Sequence, residues 1–206
     1  MLVENRMTKE PVTITADVFL SEAHEKMRKG GFRRLPVVSD GKLVGILTDR
    51  DLRAHAGYLD RTKVNGVMTE KVRTVGSSTT LEEVAQILLK YQISGLPVVD
   101  EGRLVGIITT SDVMKAFLDT MGASQPATTR IDFILEGEEH GLSEASRVVS
   151  REGGEILGIG TYREKLGENP VCYLRLRSGN PERIAESLRR GGFNVLGVHR
   201  IGGIDV

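Results

Sequence analysis

The chain has 206 residues, enough for one large or two small domains, and its 39% hydrophobic content can fill ordinary cores. Lysine plus arginine equals aspartate plus glutamate at 28 each, so the formal net charge is zero, which argues against non-specific nucleic-acid binding and gives no reason to expect an anionic membrane surface as partner. A single cysteine, Cys172, excludes an intrachain disulfide, the opening MLVENRMTKEPV has no apolar signal core, and no apolar run approaches the roughly 20 residues that span a bilayer. The expectation is a soluble cytoplasmic protein. Twenty-four glycines imply many tight turns, and the absence of tryptophan implies mainly aliphatic cores.

In chain order, Val12, Thr13 and Ile14 read as a short strand, and Leu20, Ala23 and Met27 follow at helical spacing. Two apolar runs, LPVV at 35–38 and LVGI at 43–46, flank the turn Ser39-Asp40-Gly41 and predict a hairpin. Thr48 then stands where strand gives way to a second helix. The whole pattern returns 61 residues later. Residues 7–55 laid on 68–116 need no gap and match at 17 of 49 positions. The second copy has Arg73, Thr74 and Val75 as its early strand, and Thr80 with Glu83 as a capping box. Its helix carries Leu81, Val84, Ala85 and Leu88, and its hairpin turns at Asp100-Glu101-Gly102. Each unit reads β-α-β-β-α. Fifty residues make a poor isolated core, so the copies are expected to pack as one pseudo-symmetric body.

Both copies close on GxxTxxD, as GILTDRD at 45–51 and GIITTSD at 106–112. Two readings stand side by side. A threonine at the strand-to-helix junction is a good N-cap, and an aspartate three residues on suits the helix dipole. The same geometry offers N–H groups and a hydroxyl to phosphate and a carboxylate to a ribose diol.

The MT pairs at 7–8 and 68–69, the two LPVV runs and the two GxxTxxD stretches resemble a tandem pair of cystathionine-β-synthase (CBS) domains over residues 7 to about 120. That resemblance implies two intertwined units whose clefts bind adenosine-type ligands (AMP, ADP, ATP or S-adenosylmethionine, with Mg²⁺ accompanying ATP) and regulate something else. It places Asp51 and Asp112 on ribose, Thr48 and Thr109 on ribose or phosphate, and Arg50 and Ser111 near phosphates. Arg33-Arg34 and Ser94-Gly95 take the position before LPVV, and Val12, Thr13, Arg73 and Thr74 offer backbone to adenine. The copies differ in charge: the first supplies Arg33, Arg34, Arg50 and Arg53, the second Ser94, Gly95, Ser111 and Lys115. Unequal sites follow, with a polyphosphate favouring the arginine-lined one.

Beyond the small polar stretch ASQPATT, Ile131, Phe133 and Leu135 alternate as a strand. Leu142, Ala145, Val148 and Val149 share a helix face ended by Gly153-Gly154, and Glu155–Tyr162 reads as a strand. Cys172, Leu174 and Leu176 alternate with Tyr173, Arg175 and Arg177. Asn180 caps a helix opened by Pro181, with Ile184, Ala185 and Leu188 inward and Gly191-Gly192 as its stop, before a strand from Phe193 to Val198. The order β-α-β-β-α-β is ferredoxin-like. Gly141, Leu142 and Gly153 give this part a resemblance to ACT domains, which implies an amino-acid site at Gly141 and Leu142. His140 stands where that pattern has proline. The combination is similar to AcuB-like proteins of the acetoin-utilisation type. The expected division is two CBS units at 1–60 and 61–122, a linker at 123–129 and an ACT-like domain at 130–206 within an α/β (α+β) chain.

No catalytic residue or metal site is expected. The histidines are scattered, the acidic run Glu136 to His140 reads as a solvated loop, and no nucleophile has a local signature. A non-enzymatic, energy-sensing regulatory dimer is therefore the first reading. The alternative is a ligand-free docking module for a partner enzyme of carbon metabolism. Nothing points to nucleic-acid or membrane partners.

Overall fold

In a computed structural model, residues 1–125, 128–134, 141–163, 165, 169–177 and 179–201 are described. The chain divides into Met1–Met114 and Lys115–Val206. In the first unit Leu20, Ala23 and Met27 bury one face of α1 (Leu20–Gly30), which ends at Gly31 with φ 66°. Strands β2 (Arg34–Ser39) and β3 (Lys42–Thr48) form the first hairpin, followed by α2 (Asp49–Ala54). The second copy repeats this with α3 (Leu81–Tyr91), β4 (Gly95–Asp100) and β5 (Arg103–Thr109). Thr80 accepts a hydrogen bond from the Glu83 amide at 3.2 Å and so caps α3. The last helix, α4 (Thr110–Thr120), runs across the division between the units.

Both hairpins turn alike. Asp40 and Gly41 have φ of 49° and 76°, and Glu101 and Gly102 have 49° and 77°. Positive φ at both central residues is what a two-residue hairpin needs to match strand twist. Register shifts fall at the same place, Val37/Val38 and Val98/Val99.

The copies exchange their leading segments. Strand β1 (Thr8–Lys9) pairs antiparallel with β5, Thr8 against Ile107, while Thr69 bridges Ile46 in the first copy. The Val3 amide donates to Thr79 O at 2.9 Å, and the Val64 amide donates to Val18 O at 2.9 Å. Val64 is fully buried in the core formed by Leu20, Leu35, Leu47 and Leu52, although it belongs to the second copy by sequence. A Cβ on Gly45 would lie 2.5 Å from Met68 Sδ, and one on Gly106 2.5 Å from Met7 Sδ. The MT pair of each copy therefore packs on the motif glycine of the other, where only glycine leaves room. The early strands are a correction. Only Ile14 and Val75 pair, as single parallel bridges to Val37 and Val98, while Val12, Thr13, Arg73 and Thr74 stand outside any strand.

In the second unit the order is β6 (Thr128–Ile134), α5 (Leu142–Arg151), β7 (Glu155–Tyr162), β8 (Val171–Arg177), α6 (Pro181–Arg190) and β9 (Asn194–Ile201). The antiparallel sheet runs β7-β8-β6-β9. Ile131, Phe133, Val149, Leu174, Ile184 and Leu188 build its core, with Phe133 edge-on to Phe193 at 5.3 Å. Asn180 accepts from the Arg183 amide at 3.0 Å and Pro181 opens α6, as the sequence predicts. Leu135 lies outside the described residues.

Two expectations change in this unit. Leu142 is 39% exposed and leaves the core face to Ala145, Val148 and Val149. In β8, Tyr173 and Arg175 are buried along with the apolar residues that alternate with them. Arg175 is tolerated because its Nε donates to Met121 O and its Nη1 to Thr128 Oγ1, both at 3.0 Å.

Candidate functional site

Strand β3 ends at Thr48, whose backbone is extended, and α2 begins at the next residue. Asp51 sits in the first helical turn and reaches back. Its Oδ2 accepts from the Thr48 amide at 2.8 Å and from Thr48 Oγ1 at 2.7 Å. Thr109 and Asp112 repeat this at 2.8 and 2.6 Å. The capping bond of both motifs is made by the aspartate carboxylate, to which the threonine hydroxyl also donates. It also holds each carboxylate in one orientation. Oδ1 of Asp51 accepts no hydrogen bond from any described residue, so it keeps its capacity for a further donor.

Beside Thr48 and Asp51 lies a cleft of about 550 Å³. The first copy contributes Arg33, Arg34, Arg50 and Arg53 as well as this pair. The second contributes Thr69, Lys71, Val72 and Arg73, and the stretch Tyr91 to Gly95. Exchange of leading segments makes the cleft composite, because Thr69 facing Ile46 carries Lys71 and Arg73 to the edge of β3. The Arg73 guanidinium stacks 3.4 Å from the Tyr91 ring centroid, and Arg34 Nη2 donates to Ser94 Oγ. A Cβ on Gly95 would stand 2.9 Å from Arg34 Nη1, so the glycine makes space for the arginine.

Six cationic side chains and two carboxylates, Asp49 and Asp51, line this one space. The Arg53–Asp49 pair at 3.1 Å is exposed and worth little by itself. Partial burial first, and the charge of Arg33 second, lower the proton affinity of Arg34. An anion placed between these groups would relieve both effects.

Of the residues the sequence singles out, Arg33, Arg34, Thr48, Arg50, Asp51 and Ser94 meet in this cleft. Thr109, Ser111 and Asp112, with Val12, Thr13 and Thr74, lie outside it. Lys71, Tyr91 and Gln92 join it without having been picked out for it. The one signal available was the pair Lys71 and Arg73 flanking an apolar residue, which is too sparse to interpret without the strand exchange. Gly141 is the N-cap residue of α5 and its carbonyl accepts from Glu144 and Ala145, an ordinary helix start. The run Glu136 to His140 lies outside the described residues. No group of three or more metal-ligating side chains occurs among the described residues, and no described helix is long and apolar enough to cross a membrane.

Residues 3–57 and 64–119 match the family model of the CBS domain. The L-aspartate semialdehyde sulfurtransferase of Methanocaldococcus jannaschii is 36% identical over 118 residues, 56% of this chain but 23% of that enzyme, so the chain spans about a quarter of it. Among solved structures, the CBS domain pair of protein MJ0100 in complex with 5′-methylthioadenosine and S-adenosyl-L-methionine is 34% identical with a TM-score of 0.54, over 57% of this chain and 95% of that one. A putative acetoin utilization protein (AcuB) from Vibrio cholerae is also 34% identical, with a TM-score of 0.55, over 61% of this chain and 98% of that one.

Proposed function

The chain belongs to the CBS-domain family, and from that premise we propose that it is a non-enzymatic cytoplasmic sensor of adenosine-type ligands. The observation that carries this reading is the composite cleft, where an oriented carboxylate, Asp51, lies among six cations. Asp51 would take the ribose diol, Thr48 the adjoining oxygen, and Arg33, Arg34 and Arg50 the phosphates. The ligand class is AMP, ADP or ATP, with Mg²⁺ accompanying ATP, or S-adenosylmethionine. Support for the class comes from the CBS pair of MJ0100, whose complex holds two adenosine compounds. Thr109, Ser111, Asp112, Val12 and Thr13 belong to a second cleft in this reading, Thr74 continues the Val72–Arg73 edge of the first, and Ser94 belongs to both.

A ligand regulates only by binding two arrangements with different affinity. Because the cleft draws on both copies, closing it on a ligand changes how they meet. We take residues 1–60 and 61–122 as the two units, 123–129 as a linker and 130–206 as a ferredoxin-like ACT-type domain that relays the signal. Its β-α-β-β-α-β order and β7-β8-β6-β9 sheet support that fold. Amino-acid sensing at Gly141 and Leu142, a homodimer and a partner enzyme complete the reading, in the manner of AcuB-like proteins.

The test is a thermal-melt screen with adenosine ligands on the full chain and on an Asp51→Ala/Asp112→Ala variant. A ligand at about 100-fold excess over its Kd adds about 2.7 kcal/mol, a rise of roughly 5–10 °C for a domain of about 150–250 residues. The variant should stay folded, lose about 1 kcal/mol per cap and lose the ligand response. Unchanged affinity in the variant would reject the site. A melt unmoved by every ligand would favour the docking module, whose motif aspartates serve only as caps.

A further inference from the structure

The 61-residue offset holds in space as well as in sequence. The Asp49 amide donates to Arg33 O at 2.9 Å, and the Thr110 amide donates to Ser94 O at 3.2 Å. Thr69 faces Ile46 as Thr8 faces Ile107. The two Thr–Asp pairs bond alike, and each motif glycine receives the other copy's methionine. The backbone around Asp51 therefore has a mate around Asp112, departing from it at Glu10, whose φ is 47° where Lys71 has no positive φ.

Side chains at the mate positions differ in one direction. Where the first cleft has Arg50 and Arg53, the mate has Ser111 and Met114. Where it has Lys71 and Arg73, the mate has Glu10 and Val12. Arg33-Arg34 and Ser94-Gly95 exchange under the offset, and all four line the first cleft, so the mate draws on the same four residues. Apart from these, the first cleft sets four cations against Asp49 and Asp51. The four mate positions, Ser111, Met114, Glu10 and Val12, carry no cation and stand with Asp112. Val12 and Met114, 51% and 55% exposed, offer apolar surface where the first cleft has charge.

Phosphate oxygens need charge-assisted donors, and a carboxylate facing them is repulsive. An uncharged or cationic 5′ substituent meets the opposite preference. Resting on the adenosine reading above, we propose that the two clefts are sorted by charge. The Asp51 cleft takes an adenosine polyphosphate, and the Asp112 cleft takes an adenosine compound that carries no phosphate.

The experiment is equilibrium titration of the full chain with two probes, ATP and the uncharged 5′-methylthioadenosine, singly and together. The expected result is one equivalent of each, bound at the same time, with ATP weakened by salt and the uncharged probe indifferent to it. Lys71→Glu with Arg73→Val should weaken ATP at least about tenfold and leave the uncharged probe in place, which also shows that this variant is folded. Glu10→Lys with Val12→Arg should admit a second equivalent of ATP. Two equal ATP equivalents in the unaltered chain, displacement of one probe by the other, or no site for the uncharged probe would each overturn the sorting while the adenosine reading survives. Failure of both probes to bind would remove that reading, and the proposal with it.

Discussion

Cys172 lies in the middle of β8, fully buried beside Leu174 in the core under α5 and α6. Burial first, and the negative charge of Asp132 second, push its thiol from an ordinary 9.0 up to about 11. Folding therefore favours the neutral thiol. The contribution is complete below about pH 9 and is lost as pH rises to about 11, because the unfolded chain releases its proton first. The loss is about 2–3 kcal/mol. Urea midpoints should fall over that range, less steeply in Cys172→Ala, and the thiol should resist alkylation at pH 8 until denaturant is added. An equal slope in the variant would discount the thiol. The burial of Cys172 was legible in the alternation of β8, but that of Arg175 was not, because its partners Met121 O and Thr128 Oγ1 lie about 50 residues away. Asp51 could likewise be picked out from a local motif. Lys71 and Tyr91 could not, because Lys71 joins the cleft through the exchange of segments and Tyr91 through the packing of α3's end against the first copy.

The hairpins are the elements most fully written in local sequence. LPVV, a turn and LVGI specify β2–β3 and β4–β5 down to matching bulges. Helix α6 was equally readable from Asn180-Pro181 at one end and Gly191-Gly192 at the other. The early segments at 12–14 and 73–75 have strand-like residues but make one bridge each, Ile14 to Val37 and Val75 to Val98. Nothing stands within 4 Å of a Cβ placed on Gly41 or Gly102, so a side chain there meets only the cost of positive φ. Gly41→Ala and Gly102→Ala should each lower stability by about 1 kcal/mol. The two hairpins are separate elements, and the double variant should be additive in chemical denaturation. Glu101→Asn should raise stability by a few tenths of a kcal/mol, because Asn tolerates φ near 49° better than Glu. A loss on that substitution would show that the Glu101 side chain has another role.

At the scale of the molecule, the two copies are halves of one structure rather than neighbours. Val3 and β1 complete the second copy, and Val64 and Thr69 complete the first. Removing residues 1–9 should therefore damage the copy that lies farther along the chain. Hydrogen exchange at residues 77–81 and 103–109 should accelerate at least about tenfold, while 34–48 keeps its protection. The reverse pattern would contradict the exchange. Intertwining itself was implied by the family resemblance and not by any local signal, since no residue-level pattern in 1–9 names its partner. The arrangement also bears on synthesis. A nascent chain that has just released residues 1–9 carries Val3 and Met7 with nothing to cover them. Their partners at 77–81 and 103–109 follow about 70–100 residues behind, a wait of about 4–20 s at ribosomal speed. Throughout that interval Leu2, Val3 and Met7 stand uncovered, open to any chaperone that samples emerging chains.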